Sequence, residues 1–164
     1  MNLGGKSTEE IFVTSAAFLI LSAPEGDPLQ HYLACLDQRI DLPDGRHTKP
    51  DLLIEKHIIE YDGAYFHLDK GEEDARKTLA TAALGYTVTR YRDGRLLPVE
   101  GATNFAVDAS EGLESLAMQV TAHHGVTMDR QLWLRIDSLA RRAILHCKQK
   151  YATTKQTAMT QYTV

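Results

Sequence analysis

Three carboxylates lie close together in the middle of the chain. Asp51 follows Pro50 at the head of a short apolar run, residues 51–54, while Glu60 and Asp62 close a second run, residues 57–62. Side chains alternate across a strand, so Glu60 and Asp62 share one face and Tyr61 takes the other. Only Glu55-Lys56 separates the runs, the length of a tight hairpin connection. If the two strands pair, all three acids converge. Acids so close repel one another and call for a cation, and an all-oxygen donor set favours a hard ion, Mg²⁺ or Mn²⁺. Such an ion polarises a phosphoryl oxygen, lowers the pKa of a bound water and offsets the charge that develops during in-line attack. The plainer alternative is a hairpin with solvated acids at its ends.

The elements that must position these acids can be read outward from the hairpin. Ser7-Thr8-Glu9-Glu10 has the form of a capping box, which starts a helix running to about Ser22. Pro24, Gly26, Asp27 and Pro28 break it. Residues 29–40 fit a short helix or a strand equally, and Leu42-Pro43-Asp44-Gly45 is a turn. After the hairpin, residues 70–84 carry a helical pattern that Gly85 should stop, and residues 86–91 form a strand. Residues 95–109 read as loop plus a short extended piece at 105–107. Helices are expected over 111–123 and 128–150, the latter with Leu132, Ile136, Leu139 and Ala143 on one side; Trp133 is assigned to core packing. Residues beyond Tyr151 lack periodicity and read as a disordered tail. This order predicts an α/β fold, a mixed central sheet of about four strands flanked by helices, with extra C-terminal helices.

Composition narrows the class. No stretch approaches the ~18 apolar residues that span a bilayer, so the chain reads as soluble and cytoplasmic, with no membrane partner. Cys35 and Cys147 lie far apart and form neither a zinc motif nor a disulfide framework. The net charge is −4, but it is unevenly spread. Residues 126–164 hold seven basic and two acidic side chains, net +5, which leaves −9 for the rest. The basic segment could meet phosphate or pack against its own acidic body. Gly4-Gly5-Lys6-Ser7 imitates the end of a phosphate-binding loop, but Met1 leaves no room for the glycine and strand that must precede it.

Lys49-Pro50-Asp51-Leu52-Leu53-Ile54, followed by Ile58-Ile59-Glu60-Tyr61-Asp62-Gly63-Ala64-Tyr65-Phe66-His67, resembles the core of the PD-(D/E)XK nuclease superfamily. The likeness is to the branch that contains the very-short-patch repair endonucleases. Asp74-Ala75-Arg76-Lys77 and Gly85-Tyr86-Thr87-Val88-Thr89-Arg90 continue it in order, so it spans residues 49–92. The resemblance implies a restriction-endonuclease-like core over residues 1–110, a helical extension over 111–150 and a tail over 151–164. It implies a Mg²⁺- or Mn²⁺-dependent DNA endonuclease in which Asp51, Glu60 and the backbone carbonyl of Tyr61 hold the ion. It also implies Glu10 or Glu9 as a further acid from the first helix, and His67 as a group that protonates a leaving oxygen or orients a water.

The chain departs from that pattern in two places. Asp62 stands where the superfamily carries lysine; it could bind a second metal or hold a water, but the positive charge would have to come from elsewhere, with Lys77 or Lys70 the candidates. The zinc ligands of the repair enzymes are missing, which leaves the substrate open. Arg90, Arg92 and Arg95 are candidates for phosphate contact, since guanidinium forks match phosphate oxygens, although Arg90 could instead pair with one of the acids. DNA is the expected partner, and a homodimer through the C-terminal helices is a further expectation. The rival reading is a catalytically inactive nuclease-like domain that binds DNA or a partner protein.

Overall fold

The computed structural model describes residues 6–161, with side chains through Thr154. Helix α1 (Thr8–Leu21) begins at the expected capping box: Ser7 Oγ accepts the Glu10 N–H at 3.0 Å and the Glu10 side chain accepts the Ser7 N–H at 3.4 Å. Its residues from Ile11 to Leu19 are all buried, so α1 has no polar face along its middle. A helix buried all round must be covered on every side, and its two polar residues there, Thr14 and Ser15, are buried with the rest. Helix α2 (Leu29–Cys35) resolves the ambiguous stretch as helix. The two-residue strands β1 (Ile40–Asp41) and β2 (His47–Thr48) then pair across the 42–45 turn.

The main sheet has four strands in the order β3-β4-β5-β6: β3 (Leu52–Ile54), β4 (His57–Asp62), β5 (Thr87–Asp93) and β6 (Thr103–Val107). β3 runs antiparallel to β4, and β4, β5 and β6 run parallel, so the sheet is mixed. Parallel neighbours need a crossover. A short helix α3 (Ala64–His67) and helix α4 (Gly71–Ala83) supply it between β4 and β5. Gly85 follows α4 at φ +82°, the left-handed conformation in which only glycine is unstrained.

Alternation along the strands divides the sheet into two faces. Leu52, Ile59, Tyr91 and Val107 join α1 in the larger core, together with α5 (Leu113–His123) and α6 (Arg130–Gln161). Ile58 and Val88 form a smaller cluster on the other face with Ile40 and Leu42. Ile136, Leu139, Ala140 and Ala143 of α6 are buried in the larger core, and Trp133 packs against Phe12 with ring centroids 6.0 Å apart. The C-terminal helices therefore complete the same core as the sheet. The tail reading is corrected: α6 continues through Gln161, extending the preceding helix past residue 151 despite the missing apolar period. Part of the basic segment does meet the chain's own acids, because Arg142 forks Asp27 at 2.8 and 2.9 Å. Among the described residues no helix is long and apolar enough to cross a membrane.

Candidate functional site

The hairpin register builds the site. Leu52 pairs with Ile59 and Ile54 with His57, so one step outward Asp51 stands opposite Glu60. Two hydrogen bonds join this end of the hairpin: Tyr61 N–H donates to Asp51 Oδ2 at 2.8 Å, and Asp51 N–H donates to Glu60 Oε2 at 3.4 Å. Both carboxylates line a cavity of about 790 Å³ whose wall also includes Lys6, Glu10, His67 and Arg95. Glu10 comes from the first turn of α1, where the capping box fixes it, and Lys6 Nζ lies 2.8 Å from Glu10 Oε1 and 3.3 Å from Asp37.

The negative charge here is only partly relieved. Burial first, and the Glu10 carboxylate second, push Asp51 up to about 7, against the pull of Lys6 and the Tyr61 N–H. Burial and then Asp51 hold Glu60 well above the usual carboxylate range, although Arg90 draws it down. Carboxylates that resist ionisation because they are close and desolvated gain most from an added cation. Asp51 and Glu60 offer a hard, all-oxygen donor set that fits Mg²⁺ or Mn²⁺.

Asp62 corrects the expectation that three acids meet on one ion. It is fully buried, and both its oxygens are taken: Oδ2 accepts Arg90 Nε and Arg92 Nη1, each at 2.7 Å, and Oδ1 accepts Arg90 Nη2 at 2.7 Å. Arginine on β5, the parallel neighbour, neutralises it. Asp74 of α4 joins this network at 3.3 Å from Arg90, and Arg90 also donates to Thr78 Oγ1. Among the described residues, Asp62, His67 and Asp74 are the group whose possible ligand atoms lie within 4.8 Å of one another, but two guanidinium groups already neutralise its two carboxylates.

The same bonds decide the arginine assignments: Arg90 takes the alternative of pairing with an acid, and the phosphate role of Arg92 is corrected. Arg90 and Arg92 are each 4% exposed and point into the protein, out of reach of a phosphate backbone. Arg95 differs: its side chain is 77% exposed, it pairs with Asp93, and it stands at the cavity wall. Lys77 is corrected as well. It pairs with Glu73 one turn away on α4 and is absent from the cavity lining.

His67 lines the cavity. Its Nδ1 lies 2.9 Å from Asp74 Oδ2 and 3.2 Å from Asp62 Oδ1. Carboxylates only accept, so Nδ1 carries the hydrogen and Nε2 is left for another partner. The Asp74 bond raises the His67 pKa, outweighing the burial that would lower it. The sequence reading missed Lys6 as a site residue. Lys6 precedes the Ser7 cap, so no helical spacing marks it, and its pairing with Glu10 is seen only in the folded chain. No family model, curated protein or solved structure matches the chain.

Proposed function

We propose that this chain is a metal-dependent endonuclease that hydrolyses DNA phosphodiester bonds, built on a restriction-endonuclease-like core. The observation that carries this reading is the facing register of Asp51 and Glu60, two under-neutralised carboxylates on the wall of an open cavity. A divalent ion bound there would supply the Lewis acid and the means of acidifying a water. Asp51 and Glu60 would hold it, with the Tyr61 backbone beside them. Hydrolysis forms one bond from water oxygen to phosphorus and breaks one from phosphorus to the leaving ester oxygen, which departs with the bonding electron pair. His67 Nε2 gives that oxygen its proton, and the attacking water loses one to solvent. Asp74 holds the ring at Nδ1 throughout. Arg95, at the exposed rim, meets a neighbouring phosphate.

Supercoiled plasmid tests the reading. Nicked or linear product should appear with Mg²⁺ or Mn²⁺, disappear with chelator, and be lost in Asp51→Ala. One observation favours a second reading, a nuclease-like domain that binds DNA or a partner protein without cutting: the position that carries lysine in such enzymes holds Asp62, and its charge is used up inside the protein. Metal-independent retardation of the plasmid, with no cleavage under either ion, would establish that reading instead.

A further inference from the structure

We infer that Lys6 is the catalytic cation of this site, its ammonium reaching the scissile phosphate from the segment ahead of α1. This assignment rests on the hydrolytic reading. Lys77 is paired with Glu73 away from the cavity, and Arg90 and Arg92 are spent on Asp62. Arg95 is held by Asp93 at the solvent edge. Lys6 alone among the described cations lies inside the carboxylate group, with a side chain only 10% exposed and a place on the same cavity wall as Asp51 and Glu60.

Its geometry suits the task. An ammonium has three donors. Glu10 and Asp37 engage the group at 2.8 and 3.3 Å, which fixes its position and leaves one donor for a ligand. Lys6 adjoins the helix cap, so the capping box that orders Glu10 also orders the chain carrying the ammonium. The carboxylates around it outnumber the one ammonium, so metal and ammonium can occupy the site together. The ammonium would then face a non-bridging phosphate oxygen as charge builds on it in the transition state. That is where a preorganised donor contributes most.

A buried lysine could instead serve only to balance the acids, and the two roles separate experimentally. Lys6→Met, Lys6→Arg and Asp51→Ala should be compared with the unaltered chain in plasmid nicking at saturating Mn²⁺, in Mn²⁺ titration calorimetry and in thermal melting. The expected result for Lys6→Met is a turnover about 100- to 1000-fold lower, the loss typical of removing one transition-state donor. Its Mn²⁺ affinity should be equal or tighter, because a competing positive charge is gone. Lys6→Arg should recover part of the turnover. Nicking by Lys6→Met at the full rate, with Asp51→Ala inactive, would overturn the assignment and leave the hydrolytic reading standing. No nicking by the unaltered chain with either ion would overturn both. If Lys6→Met melts too low to assay, Lys6→Gln, which keeps a donor without the charge, decides: nicking at the full rate, in a protein that melts normally and binds Mn²⁺, also overturns the assignment.

Discussion

Asp51→Asn should stabilise the metal-free protein at alkaline pH, about half as much at pH 5.5, and hardly at all below about pH 4. The asparagine keeps the shape of the side chain and an oxygen that accepts the Tyr61 N–H. What it removes is the charge. Asp51 is pushed up to about 7 from an ordinary value of 3.8. The folded protein therefore holds a proton that the unfolded chain has released between those values, and stability falls as pH rises across that window. At about 1.4 kcal/mol per tenfold change in proton affinity, ionising Asp51 costs about 4 kcal/mol above pH 7. That figure is a ceiling, because part of the repulsion is shared with Glu10 and Glu60. Urea unfolding at pH 5.5 and 8.5, with chelator present, measures it directly. The variant should exceed the unaltered chain by several kcal/mol at pH 8.5, or by about 10 °C in melting temperature for a chain of this size. Adding Mn²⁺ at pH 8.5 should raise the melting temperature of the unaltered chain and leave the variant's where it was. An equal difference at both pH values, or a variant less stable at pH 8.5, would refute the claim that unrelieved negative charge defines this site.

Asp62→Ala should destabilise the fold by about 3 kcal/mol or more, because it leaves Arg90 and Arg92 buried without their carboxylate; denaturant melts will show it, with or without Mn²⁺. Asp74→Asn should move the alkaline limb of nicking to lower pH: Asp74 holds the His67 pKa up, activity needs the protonated ring, and activity is lost as pH rises through that pKa. His67→Ala should lower turnover about 100-fold or more at neutral pH and flatten that limb. Lys77→Ala should leave both nicking and melting temperature close to those of the unaltered chain, since its ion pair with Glu73 is exposed.

The parts of the fold that were legible in the sequence are those set by short-range rules. Ser7 and Glu10 announce α1, the two-residue Glu55-Lys56 connection announces the hairpin, and the apolar period of residues 132–143 announces the buried side of α6. The facing of Asp51 and Glu60 followed from the same alternation. The network around Asp62 did not, because Arg90 is 28 residues away in the chain and meets it only through the parallel β4–β5 register. No local pattern encodes which strand becomes a neighbour. Lys6 was overlooked because a lysine before a helix ordinarily lies in solvent, and only the packing of α1 against the sheet brings it beside Asp51. The helix past residue 151 was missed since continuation of an established helix needs no apolar period of its own.

The turn between β3 and β4 acts as a length standard for everything beyond it. Glu55 sits there at φ +53°, a conformation a non-glycine residue adopts with some strain, yet no residue can be added to relieve it at no cost to the site. One extra residue would slide β3 by a single step and turn Asp51 toward the opposite face from Glu60. Two would restore the face but set Asp51 against a different position of β4. The loop between β5 and β6 is restricted only at its start, where Arg95 stands at the cavity wall. Length variation among chains built this way should therefore accumulate at residues 96–102 and be absent at residues 55–56.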